Sequence, residues 1–371
     1  MSGYFVTGGT GVIGSAIAER LLAEGERVTL LVRARDDAGL AGRVDELAAF
    51  WGLDAAARAR VGALRGDTTL PRFGLEPAAY DRVAGECGRI VHCAAIVKMT
   101  LPLAEARRAA VDAARNVLDL AQAMRARGTL AKVEFLSTVG VSGRRPGALP
   151  ERWITEPRAY HNTYEQAKAE AEDYLRGALA PGFPLALHRP SMVVGEAATG
   201  RVLRFQIFYH LLEFLSGRRT RGVFPALGAT ALDVVPVDYV ARVVTWSSRT
   251  EATAGRILHL CSGPAQAVPL AALGERVRAR FAAAGLACPR PRTVPAGLLR
   301  AALPVARRLA PRGARRALAT LPVFLEYLAG STAFANDETR RLVGGAVALA
   351  APASYLDAVL DYYLAHRPGP R

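Results

Sequence analysis

The chain reads Thr7-Gly8-Gly9-Thr10-Gly11-Val12-Ile13-Gly14 between a short apolar run, Tyr4–Thr7, and a helical pattern, Val12–Ala23. Glycines spaced G-x-x-G-x-x-G at a strand-to-helix junction are typical of a loop that holds a dinucleotide. The first glycine allows the tight turn, the second lets backbone approach a phosphate, and the third lets the helix pack close to the strand. The free N–H groups and the dipole of a helix N-terminus favour an anion there. The stretch Thr7–Gly14 therefore predicts a pyrophosphate site.

Extended apolar runs alternate with helical patterns up to residue 190. The extended runs are Tyr4–Thr7, Arg27–Val32, the run ending at Leu64, Arg89–Cys93, Lys132–Ser137 and Pro184–His188, and the helical patterns include Val12–Ala23, Ala104–Ala126 and Tyr160–Ala180. This alternation predicts an α/β fold, a Rossmann-type doubly wound parallel sheet with helices on both faces. We expect a dinucleotide-binding domain at 1–190, with 233–262 returning to the sheet. We expect 191–232 and 263–371 to form a smaller, mostly helical substrate cap.

The composition is that of a basic globular protein. Among 371 residues, Lys+Arg is 48 and Asp+Glu is 33, a net charge of +15. Nearly all of the excess is arginine, since the only lysines are Lys98, Lys132 and Lys168. Arginines scattered through the chain, with no basic cluster interleaved with aromatics, do not indicate a nucleic-acid surface. The charge does favour anionic cofactors, anionic carriers or membrane headgroups.

The cysteines and the hydropathy of the chain indicate the cellular compartment. Cys87, Cys93, Cys261 and Cys288 show no C-x-x-C spacing and no histidine cluster, so neither a metal site nor a disulfide framework is expected. Free thiols fit a reducing compartment. The chain begins without a basic-then-apolar leader and has no apolar stretch of about 18 residues, the length that spans a membrane. The sequence predicts a cytoplasmic protein.

The end of the second predicted strand favours one cofactor. It reads Leu31-Val32-Arg33-Ala34-Arg35, with no acid before Asp36. An acid at this place binds the ribose hydroxyls of NAD, whereas an arginine suits the 2′-phosphate of NADP. We therefore expect NADPH rather than NADH, with Arg33 and Arg35 near the phosphate; the alternative is that both are solvated loop arginines. Asp67, after the third strand, is placed to accept a hydrogen bond from the adenine amino group.

A second motif, Tyr164-Glu165-Gln166-Ala167-Lys168, places a tyrosine and a lysine on one face of a helix. A phenol with a pKa of about 10 is a poor proton donor or base at neutral pH. A nearby ammonium lowers that pKa, which suits Tyr164 to acid–base catalysis. Lys168 is also able to hold the ribose hydroxyls of a nicotinamide cofactor. The alternative is an ordinary pair on a helix surface.

A hydroxyl is needed to orient the substrate oxygen. The fifth predicted strand ends Phe135-Leu136-Ser137-Thr138. In open α/β folds, ligands bind at the carboxyl edge of the sheet, where these side chains emerge. Ser137 and Thr138 are both candidates, and either one could instead cap the following turn.

These segments together resemble the extended short-chain dehydrogenase/reductase superfamily. Within it, the chain is most similar to the branch of thioester reductase domains and fatty acyl-CoA reductases, over residues 3–262. Besides the glycine and Tyr–Lys motifs, the narrower match rests on Gly66-Asp67-Thr68-Thr69-Leu70-Pro71 with Gly74-Leu75, Val91-His92-Cys93-Ala94-Ala95, Tyr164 through Glu172, and Asp233-Val234-Val235-Pro236-Val237-Asp238-Tyr239-Val240.

The resemblance implies roles for particular residues. Thr138, Tyr164 and Lys168 would form the catalytic triad. The segments His92–Ala95 and His188–Ser191, and in them Ala94, Ala95, Pro190 and Ser191, would flank the nicotinamide. The chain departs from the family at Ala110-Val111-Asp112-Ala113-Ala114, where the pattern reads close to Asn-Val-Asp-Gly-Thr. A structural hydrogen bond near the site is then missing or supplied elsewhere.

Two segments of the cap combine apolar residues with arginines. Arg201–Val223 could line an acyl tunnel with Arg218, Arg219 and Arg221 at its mouth, or it could be a core helix followed by a solvated turn. Leu298–Leu328 could lie on an anionic membrane, dock an acidic carrier protein, or form cap helices with a solvated basic face.

The predicted function is reduction of a carbonyl or an acyl thioester by NADPH, with Thr138, Tyr164 and Lys168 at the reacting oxygen. An acyl-CoA or carrier-bound acyl chain would give an aldehyde, and a second reduction an alcohol. Alternatives within the superfamily are a ketone or β-keto acid reductase, a hydroxysteroid-type dehydrogenase and a sugar-nucleotide epimerase. A catalytically silent dinucleotide-sensing module is an alternative of another class. The expected partners are the substrate, an acyl carrier protein, a membrane surface contacted peripherally and a second copy in a homodimer; nucleic acid is not among them.

Overall fold

The structure is a computed structural model, and it describes residues 3–226, 230–295, 297, 308 and 333–367. The strands are β1 (Gly3–Thr7), β2 (Val28–Val32), β3 (Val61–Arg65), β4 (Cys87–His92), β5 (Lys132–Leu136), β6 (Leu185–Pro190), β7 (Met192–Val194), β8 (Val223–Pro225), β9 (Ala231–Leu232), β10 (Val234–Pro236), β11 (Ile257–Leu260), β12 (Val268–Pro269) and β13 (Arg292–Val294). The α-helices are α1 (Val12–Ala23), α2 (Asp37–Trp51), α3 (Ala55–Arg58), α4 (Pro77–Glu86), α5 (Leu103–Arg107), α6 (Ala113–Ala126), α7 (Thr163–Ala178), α8 (Ile207–Leu215), α9 (Val237–Ser247), α10 (Leu270–Ala283), α11 (Asp337–Val343) and α12 (Pro352–His366).

Seven parallel strands form the central sheet in the order β11-β6-β5-β4-β1-β2-β3. Val6 of β1 stands opposite Leu30 on one side and Val91 on the other. The chain therefore winds outward in both directions from β1 and β4. In such sheets the crevice for a ligand opens at the carboxyl ends of the strands, where the winding reverses. The prediction of a doubly wound α/β fold is confirmed.

Both faces of the sheet are covered by helices. On one face, Leu120 of α6 and Leu175 of α7 pack in the same core as Phe135. On the other face, Ile17 of α1 and Val240 of α9 pack with the remaining strand side chains. Because both sides are buried, the strands have nearly continuous apolar sequences and not an alternating pattern. This arrangement leaves the strand ends as the place for polar chemistry.

The predicted helix 104–126 is interrupted. The structure has α5, then a π-helical turn at Arg108–Asp112, then α6. A π turn adds a residue to one helical repeat and often occurs at functional sites, but it leaves little trace in apolar periodicity. Ala110 lies in this turn, buried in an apolar core. A hydrogen bond from the Thr163 hydroxyl to the carbonyl oxygen of Leu101, 2.8 Å long, ties the start of α7 to the segment before α5.

Helices α8, α10 and α12 pack together beyond the sheet. Their apolar side chains form a separate core that contains Phe208, Val277 and Leu360. The first of these helices, α8, begins at Ile207. The preceding segment is held by Arg201, whose guanidinium donates to Glu196 over 2.7 Å and to Glu19 over 2.5 Å. Among the helices that the structure describes, none combines the length and the apolar character needed to cross a bilayer.

Candidate functional site

The glycine loop lies at the carboxyl end of β1. Gly8 has a φ of +74°, and a Cβ there would lie 2.5 Å from the amide nitrogen of Ala94. A Cβ on Gly14 would lie 2.4 Å from the carbonyl oxygen of Gly8. Gly11 is the N-cap of α1 and supplies no side-chain acceptor, so the first N–H groups of this helix are left for another partner. The backbone therefore forms a cradle that fits a pyrophosphate.

The remaining residues predicted in this loop contribute mainly backbone. A Cβ on Gly9 would lie 2.7 Å from Cδ2 of Leu30, so this glycine permits close packing on β2. Val12 is buried against the core of α8, α10 and α12, which directs its side chain away from the loop. Thr10 and Ile13 are partly exposed at the start of α1.

An arginine and a carboxylate lie side by side beyond β2. The guanidinium of Arg33 is exposed and lies 3.8 Å from Asp67. The other carboxylate oxygen of Asp67 accepts a hydrogen bond of 2.9 Å from the amide of Thr69. The structure thus brings together the two residues predicted at the adenosine end of a cofactor.

Arg65 is a third arginine at this end, and it was not predicted from the sequence. It stands opposite Val32 in the register of β2 and β3, next to the start of the Arg33–Arg35 segment. Its guanidinium donates to the carbonyl oxygen of Arg35 over 3.3 Å. It could have been predicted, because Arg65 directly follows the third predicted strand, and the carboxyl ends of parallel strands lie at the same edge of the sheet as Arg33.

The acids nearest to β2 are engaged elsewhere. Asp36 caps α2 by accepting a hydrogen bond of 2.8 Å from the amide of Gly39. Asp37 pairs with Arg65 at 3.3 Å. Arg33 and Arg35 are exposed at this end of the sheet. The site is therefore suited to a phosphate better than to a free ribose diol.

A chain of contacts crosses the sheet from the glycine loop to α7. Thr7 Oγ1 lies 2.8 Å from His92 Nδ1. The His92 ring lies 4.7 Å from the ring of Phe135, and Lys168 Nζ lies 5.6 Å from the centre of the same ring. Burial, with a smaller effect of the Lys168 charge, lowers the pKa of His92 to about 3. The imidazole is therefore neutral and orders this part of the site without adding charge.

Lys168 is buried at the end of β5. Its ammonium donates to the carbonyl oxygen of Leu136 over 2.9 Å. Burial lowers the pKa of Lys168 to about 8, while Glu172 and Cys93 act in the opposite direction. Burial also raises the pKa of Cys93 to about 12, so its thiol is neutral. Lys168 is therefore a buried cation that still carries its proton at neutral pH.

Tyr164 lies in the first turn of α7, which Asn162 caps by accepting a hydrogen bond of 3.0 Å from the amide of Glu165. The side chain of Tyr164 lies beside the Thr138 hydroxyl. Burial raises the pKa of Tyr164 to about 12, and the Thr138 hydroxyl offsets part of that rise. Burial is the largest effect on this pKa, and a lowering of it by Lys168 stays a prediction. Tyr164 is a protonated phenol at neutral pH.

The structure separates the two candidate hydroxyls. Thr138 lies beside Tyr164 and also caps the following turn, since its Oγ1 accepts from the amide of Gly140 over 3.1 Å. Ser137 instead donates to Glu172 over 2.5 Å, in the buried interior. Thr138 is therefore the hydroxyl that lies beside Tyr164.

The other residues predicted at the nicotinamide end lie on both sides of β5. The order of strands places β5 between β4 and β6. Ala94 and Ala95 follow β4, whereas Pro190 ends β6 and the amide of Ser191 donates to Leu260 over 3.0 Å. These segments flank Thr138 along the sheet edge.

The apolar stripe of 201–223 belongs mainly to a core. Phe208, Leu211 and Leu212 are buried against α10 and α12, as the core-helix interpretation predicts. Arg219 lies 3.8 Å from Glu213. The second basic segment, 298–328, lies outside the described residues apart from Arg308.

A NAD-binding family described as male sterility protein matches residues 6–244. The chain belongs to this family. With the fold above, it is an extended short-chain dehydrogenase/reductase of the thioester reductase branch. The resemblance stated from the sequence is thereby confirmed.

The relatives of this family member include much longer proteins. Carboxylic acid reductase of Segniliparus rugosus is 30% identical over 270 residues, which cover 65% of this chain and 22% of that protein. The isonitrile lipopeptide synthase of Streptomyces coeruleorubidus is 30% identical over 245 residues, which cover 64% of this chain and 16% of that protein. The chain thus spans less than a quarter of these relatives.

A solved structure covers nearly the whole chain. The terminal R domain from the myxalamid PKS-NRPS biosynthetic pathway has a TM-score of 0.79 and 25% identity. The match covers 99% of this chain and 91% of that one, so the likeness extends beyond the sheet.

Proposed function

We propose that this chain reduces an acyl thioester to an aldehyde with NADPH. The observation that carries the proposal is that the Thr138 hydroxyl and the Tyr164 phenol lie together at the end of β5, where the buried ammonium of Lys168 binds the carbonyl oxygen of Leu136. Two relatives, a carboxylic acid reductase and a lipopeptide synthase, and the R domain of a PKS-NRPS pathway support an acyl substrate.

The residues present fit NADPH. The loop Gly8–Gly14 would hold the pyrophosphate, because α1 begins there without a side-chain acceptor for its first N–H groups. Arg33, Arg35 and Arg65 would meet the 2′-phosphate, and Asp67 the adenine amino group. Lys168 would hold the nicotinamide ribose. When bound, the nicotinamide supplies a hydride. The segments that would flank it contain Ala94, Ala95, Pro190 and Ser191.

Thr138 and Tyr164 would bind the thioester carbonyl oxygen through their hydroxyls. Negative charge develops on that oxygen as the carbonyl carbon is reduced, and hydrogen bonds aimed at it stabilise the transition state. Tyr164 then gives its phenolic proton to the oxygen, since a pKa of about 12 keeps the phenol protonated until the oxyanion forms. The resulting hemithioacetal loses its hydroxyl proton as the C–S bond breaks. Aldehyde and free thiol are the products.

The acyl chain is proposed to arrive on a carrier protein. A net charge of +15 favours encounter with an acidic partner. The PKS-NRPS source of the solved R domain and the lipopeptide synthase relative support a substrate tethered to an assembly enzyme.

NADPH consumption by the purified chain tests the proposal. The substrates are an acyl-CoA, the same acyl group on a phosphopantetheinylated carrier, and a β-keto acid. Aldehyde is trapped as a hydrazone and counted against NADPH consumed. We expect one aldehyde per NADPH with thioesters, or two NADPH per alcohol if reduction continues. Turnover with the β-keto acid and none with either thioester would overturn the proposal.

A further inference from the structure

A buried carboxylate lies one helical turn beyond Lys168 on α7. Glu172 accepts the hydroxyl of Ser137 at 2.5 Å. Its two carboxylate oxygens also accept hydrogen bonds from Nε and Nη2 of Arg189, at 3.0 and 2.5 Å. Arg189 and Glu172 are both buried, so water does not screen this pair.

Each member of this group is next to a residue proposed to act in the site. Ser137 directly precedes Thr138, and Glu172 follows Lys168 by four residues. Arg189 directly precedes the Pro190–Ser191 segment. The group therefore joins the ends of β5 and β6 to α7, at the level where the reaction is proposed to occur.

We infer that Glu172 is a positioning residue, whose carboxylate fixes Thr138 and Lys168 relative to each other and balances the buried ammonium. The inference rests on the proposed function, because Thr138 and Lys168 have their roles from it. Glu172 contacts neither substrate nor cofactor in this account and acts through Ser137 and Lys168.

The fixed geometry of Arg189 supports a positioning role. Its Nη1 also donates to the carbonyl oxygens of Pro150 and Arg152, at 3.3 and 3.0 Å, and lies 3.2 Å from His259 Nε2. A guanidinium held at so many points presents a rigid fork to Glu172. Buried ion pairs often add little net stability over well-packed apolar groups. The ion pair between Arg189 and Glu172 is therefore better explained by the fixed positions that it gives to side chains at the sheet edge than by a gain in stability.

The charge balance around Lys168 also singles out Glu172. Among the described residues, the titratable groups near Lys168 are His92 at the end of β4, Cys93 directly after it, and Tyr164 and Glu172 on its own helix. The first three are neutral at pH 7, with pKa values of about 3 for His92 and about 12 for Cys93 and Tyr164. Glu172 is the carboxylate that opposes the effect of burial on Lys168.

The lysine content of the chain allows a test that needs no turnover. Because the only lysines are Lys98, Lys132 and Lys168, isotope labelling of lysine Cε gives three side-chain NMR signals. We expect Glu172→Gln to lower the pKa of Lys168 and to move the alkaline limb of kcat to lower pH. Glu172→Asp keeps the charge, so it should restore the titration while kcat stays reduced.

Glu170→Gln is the matched control. Glu170 lies on the same helix and also binds an arginine with both oxygens, but at the surface, with Arg107 at 2.7 and 2.8 Å. Its replacement should leave the Lys168 titration and the pH profile unchanged. A Glu172→Gln protein in which Lys168 titrates as in the Glu170→Gln control would overturn the inference.

Ser137→Ala provides the test if Glu172→Gln does not fold. It removes the hydroxyl and keeps the Glu172–Arg189 pair. We expect kcat to fall about tenfold with NADPH affinity unchanged, since small misplacements of reacting groups cost that much or more. Ser216→Ala, which removes another buried hydroxyl, should keep wild-type kcat. A Ser137→Ala protein with wild-type kcat would contradict the positioning role of Glu172. A wild-type enzyme that reduces no thioester would contradict the proposed function instead, and the NMR titration of Lys168 would then decide this inference.

Discussion

The ammonium of Lys168 and the carbonyl oxygen of Leu136 are 2.9 Å apart. This hydrogen bond joins α7 to the last residue of β5, immediately before Ser137 and Thr138. It places a buried positive charge at the strand end where Thr138 lies beside Tyr164. Electrostatic effects are strong in such a site because little water screens them. The charge state of Lys168 should therefore govern both activity and stability.

Activity should fall as pH rises through about 8, because Lys168 has a pKa of about 8 and loses its proton there. The measurement is kcat for thioester reduction against pH. Lys168→Arg keeps the charge at every accessible pH, so its residual activity should lack this alkaline limb. A wild-type kcat that stays constant up to about pH 10, near the ordinary lysine pKa, would contradict the prediction.

Lys168→Met should be more stable than wild type at neutral pH. The pKa of Lys168 lies below its ordinary value of 10.5, so the unfolded chain binds more protons between these two values and stability rises with pH there. Below about pH 8 the buried ammonium carries its full cost, and we expect a gain of about 1–3 kcal/mol in the variant. Urea unfolding at several pH values measures this gain.

The stability gain should disappear only above the ordinary lysine pKa of 10.5, where folded and unfolded wild type both become neutral at this side chain. Lys98→Met, at an exposed lysine, is the control and should show no such pH-dependent difference. A Lys168→Met protein that is less stable than wild type at neutral pH would contradict the assignment.

The parts of the site that the sequence predicted are those that depend on short spacing. The glycine loop is set by residues within one turn of each other, and the crowding around Gly8 and Gly14 confirms why glycine is needed. Tyr164 and Lys168 share a helix face because they are four residues apart. The cofactor loop and the Tyr–Lys pair could therefore be predicted from the sequence, because both depend only on local backbone geometry.

The parts that were missed depend on long-range pairing or on burial. Arg189 lies on β6 and Glu172 on α7, and only the packed sheet brings their charges together. Desolvation of Tyr164 outweighs any effect of Lys168 on its pKa, and no sequence pattern gives the depth of a side chain. The π turn at Ala110 likewise leaves little periodic signal.

Arg33→Ala should weaken NADPH binding and leave NADH binding nearly unchanged. A charge-assisted hydrogen bond contributes about 1.5–3 kcal/mol, so the Kd for NADPH should rise by about tenfold or more. Fluorescence titration with both cofactors measures the ratio. Arg43→Ala, at an exposed arginine on α2, should change neither value. An equal loss of affinity for both cofactors would show that Arg33 does not read the phosphate.

Gly14→Ala should abolish cofactor binding. Its Cβ would lie 2.4 Å from the carbonyl oxygen of Gly8, so either α1 or the loop must shift. Gly42→Ala, in the middle of α2 with open space around its Cα, should bind NADPH normally and gain about 0.5–1 kcal/mol of stability. Calorimetric titration with NADPH compares the two variants. Binding by Gly14→Ala with wild-type affinity would show that this glycine contact does not shape the cofactor cradle.

The most direct test of the proposed chemistry is NADPH consumption with a carrier-bound acyl thioester by Tyr164→Phe. Tyr174→Phe, a change on the same helix at a ring that lies beneath Arg115, is the control. Loss of a positioned proton donor should lower kcat by about 100- to 10,000-fold in Tyr164→Phe, with NADPH affinity retained, whereas Tyr174→Phe should keep wild-type kcat. Aldehyde formation by Tyr164→Phe at the wild-type rate would contradict the account.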